Sequence, residues 1–253
     1  MTGLGPLLGK ELLEQWRTRR LMVVSVVFVA FGIGSPFLAR YMSDFVKALG
    51  GDQFQLVIPP PTINDAVEQF MKNLGQAGIL SAVLLSMGSV ATEKERGTAA
   101  LILTKPASRA AYLLAKLAAI GVSRGMAIAL AAMGGYLYTA ILFDAPPAGG
   151  WIAMAGLLWL SLLGYVGLTF FGSVLTRSAL AAAAIGVGGM VVVATVGTLP
   201  TIGPFTPGGL TAPAAALAVG AVTDGVIGPL LANCGLVAGL ALISWLVFRR
   251  QEL

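Results

Sequence analysis

Along most of this chain the apolar positions form long unbroken runs instead of alternating with polar ones. Six runs, Leu21–Ala39, Leu74–Ala91, Gly125–Phe143, Trp151–Leu175, Ser178–Leu199 and Val226–Phe248, are 18 to 25 residues long and hold no Asp, Glu, Lys or Arg. About 20 apolar residues in helical form cross the ~30 Å of hydrocarbon in a bilayer. In lipid only a helix or a closed barrel satisfies its own backbone. The pattern predicts an all-α membrane protein with six transmembrane helices in a single transmembrane domain over 1–253.

Three shorter stretches carry other patterns. Over 4–20, Leu4, Leu8, Leu12 and Trp16 recur every fourth residue, with Lys10, Glu14, Arg17 and Arg20 largely on other faces. That spacing predicts an amphipathic helix at the membrane surface, feeding the first span. In the loop from Arg40 to Asn73, Thr62–Lys72 can form a helix capped by Thr62 or Asn64, with Asp65 and Glu68 near its positive end. Between Pro200 and Gly225, four prolines and Gly208-Gly209 frame a stretch of Ala, Leu and Val too short to span and too apolar for open water. A re-entrant outer segment before the sixth span fits it best.

Composition narrows the chemistry. Charged residues are 11% and mean hydropathy is +0.87, against about 25% charged in soluble domains, so no soluble surface can be built. There is no His and one Cys, Cys234. This excludes His-ligated metal, Ser-His and Cys-His nucleophile pairs and an internal disulfide, and no catalytic residue or metal site is expected. The net charge of +5 is unevenly placed. With the N-terminus in the cytoplasm, 13 of the 16 Lys and Arg fall inside, leaving Arg40, Lys47 and Lys72 outside. The positive-inside rule thus predicts cytoplasmic N- and C-termini, and Arg124 marks the inner end of the third span, where it can snorkel to headgroups. The first run exceeds a usual signal-peptide core and no clear cleavage site follows, so it is expected to be retained.

Residues 93–116, EKERGTAALILTKPASRAAYLLAK, are the densest in information. Gly97 can break the helix arriving from the second span. Thr98 can cap a short helix, Ala99 to Thr104, that carries Leu101, Ile102 and Leu103. Pro106 stops it, and Ser108 can cap the next helix. An apolar knob centred on Ile102, rimmed by Glu93, Glu95, Arg96 and Arg109, hangs between two spans, and such a patch is what a docking surface needs.

On these residues the chain resembles the membrane subunits of ABC-2 type transporters. That family has an E-(K/R)-E-x-G-T segment after the second of six spans, then a Leu-rich stretch, a Pro-x-(Ser/Thr)-Arg element and a Lys. Here these are Glu93 to Thr98, Leu101 to Leu103, Pro106 with Ser108 and Arg109, and Lys116. The resemblance implies a permease subunit in a prokaryotic plasma (inner) membrane, mostly of exporters. It would work as a pair, with a second, identical copy as the expected partner, and with two cytoplasmic ABC ATPase subunits that bind the ATP and Mg²⁺. The chain itself would hold no cofactor and contact no nucleic acid. Residues 93–109 would form the coupling segment, with Glu93, Glu95, Arg96, Gly97, Thr98, Leu101, Ile102, Leu103, Pro106 and Arg109 as ATPase-coupling residues. The helix over 4–20 would be the connecting helix. Cargo and cavity-lining residues stay unassigned.

Two other readings share this topology. A gradient-driven secondary carrier usually keeps ionisable residues inside its spans, and the six runs have none. A non-transporting membrane anchor for a cytoplasmic ATPase would carry the same coupling segment. The stretch Gly5-Pro6-Leu7-Leu8-Gly9-Lys10 faintly echoes a phosphate-binding loop, but its glycines are one residue too close and no Ser or Thr follows Lys10.

Overall fold

The computed structural model describes residues 3–48, 60–104, 108–223 and 225–252. Among them all regular structure is helical: α1 Leu4–Arg17, α2 Arg20–Ala48, α3 Ile63–Ser86, α4 Ala91–Glu95, α5 Thr98–Leu103, α6 Arg109–Leu142, α7 Ala148–Leu175, α8 Ala179–Gly197, α9 Thr211–Ala218 and α10 Ile227–Phe248. Six of these (α2, α3, α6, α7, α8 and α10) are long and apolar enough to cross a membrane. Gly5 to Lys10 lie inside α1, so that stretch makes no phosphate-cradling loop.

Each boundary has a local cause. The hydroxyl of Thr18 donates to the carbonyl of Glu14 at 2.7 Å, Arg19 adopts φ 57°, and α2 starts one residue later. The predicted helix over Thr62–Lys72 is not separate. It is the first half of α3, which runs on into the second span. The Asp65 carboxylate accepts from the N–H and the hydroxyl of Thr62, both at 2.7 Å, which fixes the start. Ser108 accepts from the N–H of Ala111 and opens α6.

The packing radiates from α7, which touches α3, α6, α8, α9 and α10. Small residues let the helices approach: a Cβ on Gly32 of α2 would sit 2.5 Å from the carbonyl oxygen of Ala131 in α6. Both termini, α1, α4, α5 and the α7–α8 turn gather at one end of the bundle, as the hydrogen bonds below establish. At the far end, short 3₁₀ turns at Gly203–Phe205 and Pro207–Leu210 lead into α9, which lies against α7. There Ser161 donates to the carbonyl of Pro207 at 2.7 Å, and Asn233 donates to that of Thr206 at 3.2 Å.

Arg124 departs from expectation. It lies well within α6, fully buried, and Nη1 donates to the carbonyl of Gly78 in α3 at 3.1 Å. It cannot snorkel, because the interior stripe of α6, Tyr112, Lys116, Ile120, Arg124 and Ile128, turns it into the bundle.

Candidate functional site

The segment after the second span is a tight helical hairpin. The backbone N–H groups of Val90 and Ala91 both donate to the Ser173 hydroxyl of α7, at 3.0 and 2.9 Å, which anchors the start of α4. Gly97 turns the chain at φ 71°, a left-handed conformation that glycine adopts without steric cost. The expected cap by Thr98 is absent. Gly97 holds the N-cap position, α5 starts one residue earlier, at Thr98, and the Thr98 hydroxyl donates back to the Glu93 carbonyl at 3.2 Å.

Half of the motif faces inward. Glu93 accepts from Lys116 Nζ at 2.7 Å, from Lys10 Nζ at 3.4 Å and from the Tyr112 hydroxyl at 2.5 Å. Lys116 is only 3% exposed and also reaches Glu11 at 3.0 Å. Lys10 bridges Glu11 and Glu14 besides Glu93. Burial alone would lower the Lys10 ammonium, but the hydrogen bond to Glu11 and the charges of Glu93 and Glu11 outweigh it and raise it above the ordinary lysine range. The carboxylates of Glu11, Glu14 and Glu93 converge within 4.8 Å of one another, and Lys10 and Lys116 offset two of their three charges. Tyr112 stacks on Phe248 of α10, with centroids 5.5 Å apart. One carboxylate thus ties the hairpin to α1 and α6, and through Tyr112 to α10.

Lys94 and Arg109 grip the other chain end. Lys94 Nζ donates to the Val174 carbonyl at 2.6 Å and to Gln251 Oε1 at 3.1 Å. Arg109 Nη1 donates to the carbonyls of Phe248, Arg249 and Gln251 at 2.9–3.1 Å, closing the C-terminus of α10.

The other half of the motif is free. Glu95 and Arg96 are exposed, and Leu101 is 68% exposed. Ile102, expected at the centre of the knob, is half-buried and packs against the core. Among the described side chains of α5 the exposed large apolar one is Leu101, because α5 lies on its Ala99–Ile102 side, where Ala99 is buried. The side chain of Leu103 and all of Pro106 lie outside the described residues. Beside the cluster, a cavity of about 420 Å³ opens between α1, α5 and α6, lined in part by Lys10, Glu93, Arg96 and Lys116.

Sequence reasoning missed Lys10, Glu11 and Tyr112 as members of this site. The interior stripe of α6 was the available signal for Tyr112; Gln251 had none.

The sequence profile of the ABC-2 family transporter proteins matches residues 6–208, from α1 through the far-end 3₁₀ turns. This chain belongs to the ABC-2 family. It is also 29% identical to "Uncharacterized transmembrane protein YxlG" of Bacillus subtilis (strain 168) over 186 residues, 72% of this chain and 71% of that protein. As an ABC-2 protein it is a multi-pass membrane transport component, and proteins of this family generally work with ATPase partners.

Proposed function

We propose that this chain is the permease subunit of an ATP-driven exporter. Two copies form the pathway in a prokaryotic plasma membrane, with both termini on the cytoplasmic side. Two separate ATPase subunits carry the ATP and Mg²⁺. The observation that carries this reading is Leu101, an exposed apolar side chain on a hairpin whose inward half is bound to α1, α6 and α7 and to the chain just after α10. Exposed apolar side chains rimmed by charge are interface anchors.

Mechanically, an ATPase that seats Leu101 and contacts Glu95 and Arg96 moves α5 and α4 as one body. Glu93 passes the displacement to α6 and α1, and Lys94 passes it to α7. The helices then reorient around a central path, giving alternating access as a two-state equilibrium biased by nucleotide.

The test is purification of the tagged chain from its host in mild detergent, wild type and Leu101→Asp, with mass spectrometry of co-purifying proteins. Wild type should bring down a stoichiometric protein with a G-x-x-x-x-G-K-[ST] loop, and Leu101→Asp should lose it while keeping its own thermal stability. A wild-type chain recovered alone overturns the reading. Nucleotide hydrolysis without flux in vesicles would reduce the chain to an anchor.

A further inference from the structure

At the end of the bundle away from the charged cluster, one face of α3 stands open. Asn64, Glu68, Lys72 and Gln76 follow at four-residue steps and all four are exposed. At 1.5 Å per residue they form a stripe about 18 Å long on one helix face. Glu68 and Lys72, one turn apart, are placed to pair with each other. They do not: among the described residues every ion pair lies in the Lys10–Lys116 cluster. Both charges line a cleft of about 710 Å³ between α3 and α9. The facing wall is Ala212, Ala215 and Val219, with Tyr165 of α7 also lining the cleft. The cleft therefore has one wall with an anion and a cation that find no ion-pair partner among the described residues, and one wall that is largely apolar, its polar side chains being the hydroxyls of Thr211 and Tyr165. An amphipathic cleft selects an amphipathic occupant.

We infer that this cleft binds a zwitterionic amphiphile, with its cationic group at Glu68, its anionic group at Lys72 and its alkyl part along α9. Naming that ligand as cargo rests on the permease reading; the binding itself does not. A phospholipid whose ammonium and phosphate are joined by a two-carbon tether has the required charge order.

Native mass spectrometry of the full chain, released from detergent after exchange into dimyristoyl phosphatidylethanolamine or dimyristoyl phosphatidylglycerol, tests this. The zwitterionic lipid should be retained about tenfold better than the anionic one of equal chain length, and Glu68→Gln or Lys72→Gln should each lower its retention about tenfold, as loss of one charge-assisted contact does. Both residues are exposed, so their variants keep the fold, checked by an unchanged melting temperature. Equal retention of the two lipids, or retention indifferent to both variants, overturns the site. Displacement by an equal concentration of free phosphoethanolamine overturns the alkyl part of the inference. The two readings fail separately: a chain that recovers its ATPase but treats the lipids alike loses only the site, and a chain that selects the lipid but recovers no ATPase loses only the permease reading.

Discussion

The inward and outward halves of the hairpin at 91–104 have similar composition and opposite fates. Glu93 and Lys94 are held by Lys116, Lys10, Tyr112, Val174 and Gln251, whereas the side chains of Glu95 and Arg96, the next two residues, make no hydrogen bond or ion pair among the described residues. The same charge pattern thus meets two environments, split by helical rotation alone. A lever needs both: a face that grips the body it moves and a face left for whatever pushes it. If that division is real, variants of the two faces should separate stability from partner binding.

The largest effect belongs to Lys116→Met. It removes the buried cation shared by Glu93 and Glu11, leaving Glu93 with Lys10 and Tyr112 alone, and breaking one side of a fully buried pair costs up to about 3–5 kcal/mol. The melting temperature in detergent should drop, and Lys116→Met with Glu93→Leu and Tyr112→Phe should recover part of the loss, because the apolar set leaves no buried charge or hydroxyl without a partner. A single variant as stable as wild type would mean the cluster is not gripped. Arg109→Gln comes next. It removes a charged donor from three carbonyls, at about 1.5–3 kcal/mol for a hydrogen bond to a charged group. Hydrogen exchange at Arg249–Glu252 should accelerate while α7 stays protected; an unaltered tail would dissolve the clamp. Smallest on stability are Glu95→Gln and Arg96→Gln, within about 0.5 kcal/mol as for other surface changes. These should instead slow association with the ATPase and weaken its salt dependence, since rim charges steer encounter. A melting shift like that of Lys116→Met would erase the contrast.

The six spans were legible because lipid demands long uniform runs, a signal that needs no knowledge of packing. The hairpin was legible too, since Gly97 and Ser108 are local punctuation. Which apolar residue of α5 faces out was not. Consecutive residues of a helix point about 100° apart, so Leu-Ile-Leu always turns one inward, and the choice depends on how α5 rolls against its neighbours. That roll is set by Ser173 holding the start of α4 and by Thr98 reaching Glu93, contacts to a helix 80 residues away and across a turn. Likewise Gln251 carried no pattern of its own: a lone polar residue after a span acquires meaning only when Lys94 lies beside it.

The arginine buried in α6 also bears on how the protein is made. An isolated helix with Arg near its centre meets a cost of about 2.5–3.5 kcal/mol on entering lipid from the translocon. The acceptor that relieves Arg124 is a carbonyl of the preceding span, at Gly78, where a Cβ would run into Leu162. That bond satisfies Nη1 alone, since Nε and Nη2 are buried without an acceptor among the described residues, so the second and third spans are suited to leave the translocon together and share the cost of the buried cation. The short hairpin between them keeps the pair at close quarters during synthesis.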